Sequence, residues 1–250
     1  MLAAGRCRIA GSTVMKVEPM PEDWSQAVAV VAHPDDLEYG AASAVARWTG
    51  QGKEVAYVLV TSGEAGIDGM TPAEAGPLRQ EEERRSAAIV GVDRVEFLGH
   101  ADGMIEAGLA LRRDLAEVFR RLRPDIVITM NFGLTWGEDG NVNHADHRAT
   151  GLTVLDACRD SANRWVFSEA GEPWSGIRHV YVAGSSAPTH FVDVSATFDA
   201  GVASLREHRA YIDGLGREFD PNDFLRSLAG FAGMAAGCEY AVTFQRFVVG

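Results

Sequence analysis

Two short segments of the chain carry closely spaced histidine and aspartate residues. Residues 33–36 read HPDD and directly follow an apolar run at residues 26–32, and residues 144–147 read HADH. Imidazole nitrogen and carboxylate oxygen are donor atoms that bind zinc at roughly 2.0–2.2 Å. Because an unpaired charge beside a core strand is energetically costly, this grouping predicts a bound cation.

The spacing within the two segments narrows the choice of ligands. His33 and Asp36 are separated by two residues, so a turn after the strand can direct both side chains to one point. A catalytic zinc site usually has three protein ligands and leaves one position open for water. The third ligand is therefore expected beyond another strand, and the loop after Met130 leads to two candidates, His144 and His147.

Strand and helix patterns alternate along most of the sequence. Short apolar or β-branched runs predict strands at residues 26–32, 54–60, 94–98, 125–130, 178–183 and 190–194, with a last, edge-type strand at 240–249. Amphipathic or alanine-rich segments predict helices at residues 38–48, 77–90, 109–122, 144–158 and 197–211. This alternation implies a single α/β domain with a mostly parallel sheet, and such sheets bind ligands where their strands end.

Composition excludes several classes of function. The chain has 250 residues and a net charge of −12, which argues against a nucleic-acid surface because such surfaces are basic. No apolar run approaches the ~20 residues of a membrane span, and no apolar segment of the kind found in secretory signals follows Arg8. The three cysteines share no metal-like or disulfide-like spacing, so we expect reduced thiols in a cytoplasmic protein. Residues 1–14 are expected to form a disordered or artefactual extension.

The sequence resembles a known family through both histidine-containing segments. Residues 32–38 (AHPDDLE) and 144–147 (HADH) are similar to the LmbE-like (PIG-L) family of zinc-dependent de-N-acetylases. Further similarity lies at residues 61–66 (TSGEAG), 78–82 (LRQEE), 97–99 (FLG) with Asp102, and 123–127 (RPDIV). The resemblance covers roughly residues 26–160. It implies a Rossmann-like fold whose parallel sheet is flanked by helices, with residues 15–250 as the deacetylase domain.

The resemblance implies a metal centre and a base. It assigns His33, Asp36 and His147 as ligands of Zn²⁺, although Fe²⁺ or another divalent ion suits the same donors. It makes Asp35 the general base that takes a proton from the attacking water.

Four further residues receive roles from the same resemblance. His144 is expected to stabilise or protonate the tetrahedral intermediate, and Asp146 is expected to orient a neighbouring histidine. Arg79 and Asp102 are expected to contact the substrate.

The leading hypothesis is a hydrolase that removes an N-acyl group, acetyl above all, from an aminosugar such as N-acetylglucosamine or from its conjugate. One alternative is an amidase that cleaves a thiol–sugar conjugate, and another is a sugar- or nucleotide-binding module without catalysis. Magnesium-dependent phosphoryl transfer is disfavoured because magnesium prefers oxygen to histidine nitrogen. The small-molecule substrate is the expected partner, and the oligomeric state, homo-oligomer included, stays open. His208 and Tyr211 are expected on the solvated face of a late helix.

Overall fold

The computed structural model describes residues 17–136, 140–216 and 218–249, so the extension predicted at residues 1–14 lies outside the described residues. The strands are β1 (Glu18–Pro19), β2 (Gln26–Val31), β3 (Glu54–Leu59), β4 (Arg94–Phe97), β5 (Ile126–Met130), β6 (Thr135–Trp136), β7 (Asn141–Val142), β8 (His179–Ala183), β9 (His190–Asp193) and β10 (Ala241–Val248). The helices are α1 (Ala42–Gly50), α2 (Pro72–Ile89), α3 (Leu109–Leu122), α4 (Ala145–Ala162), α5 (Phe198–Leu205), α6 (Arg209–Gly214) and α7 (Pro221–Ala236).

Eight of these strands form one sheet in the order β1-β9-β10-β8-β5-β2-β3-β4, and β6 pairs with β7 in a separate hairpin. The pairs β2–β3, β3–β4, β2–β5 and β5–β8 are parallel, and β1 runs parallel to β9. The expected single α/β domain with a mostly parallel sheet is thereby confirmed. Because β2 and β5 are neighbours, the loops that follow them begin side by side at the same edge of the sheet.

The strand predicted at the edge of the sheet is in fact an interior strand. β10 pairs antiparallel with β8 on one side and with β9 on the other. Burial alternates along the second half of β10, and alternation reports only that one face of a strand is covered. Whether the backbone of a strand is paired depends on neighbours elsewhere in the chain, so the prediction of an edge strand was wrong.

The central strand β2 is buried on both faces, which explains its unbroken apolar sequence. Ala27, Ala29 and Val31 pack into a cluster that includes Trp48 of α1. The alternate residues of the strand pack into a second cluster on the opposite face, with side chains from α3 and α4. Helices therefore cover both faces of the sheet and leave the carboxyl ends of its strands free for a site.

Several helices differ from their predicted bounds for local reasons. α2 begins at Pro72 instead of Pro77, because Thr71 and Glu74 form a capping box. α1 begins at Ala42 instead of residue 38, because residues 34–41 form a turn. The helix predicted at residues 197–211 is divided into α5 and α6, and α7 lies in a stretch for which no element was predicted.

Among the described residues, no helix combines the length and the apolar character needed to cross a membrane. Two of the three cysteines are described, and both Cys158 and Cys238 are free thiols.

Candidate metal centre and active site

The centre of the site lies where the chain leaves β2. Asp35, in the turn at residues 34–41, has a φ of 89°, in the left-handed region that aspartate and asparagine occupy more often than most residues. The backbone N–H of His33 donates to Asp36 Oδ2 at 2.9 Å. This hydrogen bond holds the Asp36 carboxylate beside the His33 ring.

Three residues from both segments converge here, and we call His33, Asp36 and His147 the donor triangle. His33 Nδ1 lies 3.2 Å from His147 Nε2 and 3.6 Å from Asp36 Oδ2, and His147 Nε2 lies 3.1 Å from the other Asp36 oxygen, Oδ1. Ligand atoms 2.0–2.2 Å from a tetrahedral ion are separated from each other by about 3.3–3.6 Å. The separations in the donor triangle lie at or just below this range, so small side-chain movements adapt it to a divalent ion.

Contacts on the far side of each histidine ring support the same conclusion. His147 Nδ1 lies 2.9 Å from Asn143 Oδ1, so this nitrogen carries the proton and Nε2 presents a lone pair to the centre. Asn143 is held in turn by donating to the carbonyl oxygens of Asn131 and Gly133. A ring nitrogen bonded to an acceptor in this way fixes the tautomer of a metal-binding histidine.

The other nitrogen of His33 faces two carboxylates. His33 Nε2 lies 3.0 Å from Asp102 Oδ1 and 3.2 Å from Asp146 Oδ2. Asp146 is itself fixed by the backbone N–H groups of Gly103 at 2.7 Å and Ile105 at 3.1 Å. Without an ion, a proton on His33 Nδ1 can bridge to His147 Nε2, 3.2 Å away. A divalent ion can take the place of that proton, because a neutral His33 with its Nε2–H engaged presents the lone pair of Nδ1 toward Asp36 and His147. The donor set therefore fits a metal.

The pKa values of the candidate ligands show how strongly this centre attracts positive charge. Burial opposes protonation of His33, but hydrogen bonds to Asp102, Asp146 and Asp36 outweigh it and raise the pKa of His33 well above its usual value. Burial also opposes ionisation of Asp36, yet His147 and His33 together lower the pKa of Asp36. The carboxylates of Asp36, Asp102 and Asp146, whose pKa values are all lowered, therefore stay charged and favour a cation.

Asp35 occupies a separate position from the donor triangle. Burial raises the pKa of Asp35 to about 8, with Arg79 opposing the shift and Asp36 adding to it. Arg79 Nη2 lies 3.2 Å from Asp35 Oδ2, and the guanidinium also donates to the carbonyl oxygens of Pro34 and Gly63. Arg79 is thus a buried side chain engaged with the turn, and its predicted contact with substrate stays a prediction.

His144 lies on the open side of the centre. Its ring stacks on that of His147 with the centroids 4.7 Å apart and an interplanar angle of 10°, and His144 as a whole is exposed. Burial lowers the pKa of His144, and the charges of His147 and His33 lower it further. Nitrogen atoms of His33, His144 and His147 come within 4.8 Å of one another, so His144 can reach a molecule bound at the centre.

Sequence reasoning missed three residues near the site. Asn143 orients His147, and the signal for it was an amide four residues before the histidine. Glu83 Oε2 accepts from the Asp35 backbone N–H at 3.2 Å, and its signal was the acidic run on α2. His208 was expected in solvent but is fully buried, because the chain turns inward between α5 and α6, so that expectation was wrong. Tyr211 instead stacks against the Arg79 guanidinium at 4.4 Å.

Comparison with known proteins places the chain in a family. Residues 28–158, which contain the whole donor triangle, match the family described as PIG-L, GlcNAc-PI de-N-acetylase. The chain belongs to the PIG-L family.

Two relatives of this PIG-L chain are named as deacetylases. It is 28% identical over 242 residues to the diacetylchitobiose deacetylase of Thermococcus kodakarensis, which covers 94% of this chain and 87% of that protein. It is 34% identical over 155 residues to the 1D-myo-inositol 2-acetamido-2-deoxy-alpha-D-glucopyranoside deacetylase of Corynebacterium diphtheriae, which covers 51% of this chain and 50% of that protein.

A solved structure supports the fold independently. The N,N'-diacetylchitobiose deacetylase of Pyrococcus horikoshii superposes with a TM-score of 0.82 at 24% identity, covering 91% of this chain and 85% of that one. At this identity the likeness establishes the shared Rossmann-like architecture of the PIG-L chain.

Proposed function

We propose that this protein is a zinc-dependent deacetylase that hydrolyses the N-acetyl group of an acetamido sugar or of its conjugate. The observation that carries the proposal is the convergence of His33 Nδ1, Asp36 and His147 Nε2 on one point, with the Asp35 carboxyl next to it in the chain. The substrate class rests on family membership and on relatives that deacetylate two different acetamido sugars.

Under this proposal His33, Asp36 and His147 hold the ion, with one neutral imidazole from each segment and one carboxylate. Zinc is the preferred ion for such a mixed set, and Fe²⁺ suits the same atoms. A divalent ion bound there acidifies water and polarises an amide carbonyl.

The remaining side chains act on protons and on geometry. Asp35 takes a proton from the attacking water and returns it to the departing amine, while Arg79 and the Glu83 carboxylate hold the turn that carries it. His144, on the open side, donates to the oxygen of the tetrahedral intermediate. Asp102 and Asp146 position the His33 ring, which is the orienting role that the resemblance implied for Asp146.

The proposal extends to the partner and the location of the protein. An acetamido sugar is the proposed partner, and the cytoplasm is the proposed location because the described cysteines are free thiols. A binding module without catalysis is the less economical alternative, because such a module has no use for a buried carboxyl beside a metal donor set.

The decisive experiment measures acetate released from N,N'-diacetylchitobiose and from a set of N-acetylglucosamine conjugates. We expect hydrolysis that a chelator abolishes and that added Zn²⁺ restores, and we expect His147→Ala to lose it. His190→Gln is the matched control, since His190 is buried on β9 and bonds Thr189. A thiol–sugar amide included in the set tests the amidase alternative. Acetate release that is unaffected by chelation and by His147→Ala would refute the proposal.

A further inference from the structure

A second cluster of buried polar side chains lies next to the turn at residues 34–41. His208 Nε2 lies 3.7 Å from Glu38 Oε2 and 3.7 Å from Glu83 Oε2, and all three side chains are at most 1% exposed. The three residues come from the turn after β2, from α2 and from the connection between α5 and α6. None of them belongs to the donor triangle described above, so this buried cluster is a separate feature of the molecule.

Part of the buried cluster lacks hydrogen-bond partners among the described residues. Glu38 Oε1 accepts from Ser86 Oγ at 2.8 Å and Glu83 Oε2 accepts from the Asp35 N–H, but both ring nitrogens of His208, Glu38 Oε2 and Glu83 Oε1 have no partner. Buried polar groups in folded proteins are almost always paired, and 3.7 Å is too long for a hydrogen bond. Two ligand atoms at about 2.1–2.2 Å from one ion would be 3.7 Å apart at an angle of about 120°. The distances from His208 Nε2 to the two glutamate oxygens are therefore those expected for ligands of one metal ion.

The protonation states of the cluster are compatible with the same ligand. Burial lowers the pKa of His208 to about 3, so the ring is neutral and offers a lone pair, as a metal ligand must. Burial raises the pKa of Glu38 to about 7 and the pKa of Glu83 well above its usual value, so a bound ion would displace protons from these carboxyl groups.

We propose that Glu38, Glu83 and His208 bind a second divalent transition-metal ion of the zinc type. One imidazole and two carboxylates are donors that zinc accepts, and their ligand atoms lie within 4.8 Å of one another. Because the cluster is closed to solvent, this ion is structural. It ties the turn that carries Asp35 to α2, since Glu83 also accepts the Asp35 backbone N–H.

The short helix α6 provides a path for the ion. It has six residues, none of them fully buried, and it starts directly after His208. A hydrogen bond attaches α6 to α2: the Ala210 backbone N–H donates to Glu82 Oε1 at 2.7 Å. Thinly packed segments of this kind open locally at low free-energy cost, and such opening exposes the buried cluster.

The proposal is tested by counting ions on the full chain. The protein is stripped with a chelator, reloaded with excess Zn²⁺, desalted and analysed by mass spectrometry of the metal content. We expect His208→Gln and Glu83→Gln to hold one ion fewer than the unaltered chain and to melt at a lower temperature. The control His190→Gln is expected to keep the full count.

The two metal proposals fail in different ways. If His208→Gln and Glu83→Gln keep the full count, the buried site is overturned while the proposed active site stands. His147→Ala removes the other ion, so an ion retained by His147→Ala supports the buried site even if the two variants do not fold. A metal-free His147→Ala chain that is folded by circular dichroism overturns the buried site.

Discussion

Replacement of Asp146 by asparagine provides the sharpest test of how the candidate centre is held. Asp146 Oδ2 contacts both His33 Nε2 and the Gly103 N–H, and Oδ1 accepts from the Ile105 N–H. An amide has a single acceptor oxygen, so in either orientation the NH₂ group of asparagine faces at least one of these donors. Asp146→Asn therefore removes the negative charge beside His33 and at least one hydrogen bond.

The expected loss of Zn²⁺ affinity depends on the carboxylates that remain beside His33. Loss of a carboxylate behind a ligating histidine weakens metal binding by about 10–100-fold, or about 1.4–2.7 kcal/mol. Asp102 still contacts His33 Nε2 at 3.0 Å in Asp146→Asn, so the single variant is expected near the tenfold end. The double variant Asp102→Asn/Asp146→Asn leaves His33 Nε2 without a carboxylate and is expected near or beyond 100-fold.

The assay is a competition titration between the protein and a chelator of known affinity for Zn²⁺. The matched control is Asp114→Asn, which removes a carboxylate from His100, 3.0 Å away, outside the candidate centre. We expect Asp114→Asn to titrate like the unaltered chain. A Zn²⁺ dissociation constant for the double variant equal to that of the unaltered chain would refute the assignment of His33 as a ligand oriented by these two aspartates.

Four further predictions concern the base, the buried arginine and helix packing. Asp35→Asn is expected to slow acetate release by about 10²–10⁴-fold with the metal retained, as measured by enzymatic acetate assay together with metal analysis. Arg79→Met is expected to lower the free energy of unfolding by about 1–3 kcal/mol in urea, because it leaves the buried carbonyl oxygens of Pro34 and Gly63 without their donor. Gly201→Ala is expected to cost about 1–3 kcal/mol in the same assay, since the new Cβ would lie 2.0 Å from Ser43 Oγ. Gly230→Ala on α7 meets nothing within 4 Å and is expected to stabilise the chain by about 0.5–1 kcal/mol.

Each of these predictions has an outcome that contradicts it. A near-normal rate in Asp35→Asn removes that residue from the chemistry, and loss of its metal would make its role structural. An unchanged urea midpoint in Arg79→Met would mean that the buried hydrogen bonds of Arg79 contribute nothing net to stability. Equal stabilities for Gly201→Ala and Gly230→Ala would show that the contact between α1 and α5 yields to an added methyl group.

The sequence alone determined the middle of the sheet and the place of the site. Strands buried on both faces need apolar side chains at every position, so β2, β3 and β5 are readable as continuous runs. Parallel strands end at a common edge, and the segments at residues 33–36 and 144–147 therefore had to approach one another. The histidine and aspartate residues of these segments predict a bound cation from the sequence alone.

The tertiary structure decided everything that depends on partners distant in the chain. The interior position of β10, the burial of Arg79 and the shared contact of Asp102 and Asp146 with His33 each join residues from separate elements. The buried cluster of Glu38, Glu83 and His208 is the clearest case. Glu38 ends the AHPDDLE segment, but Glu83 and His208 occur in ordinary helical or loop sequence, and no local spacing relates the three. Only the packing of α2 and of the α5–α6 connection against the turn brings their charges together, because burial and proximity are properties of the folded chain.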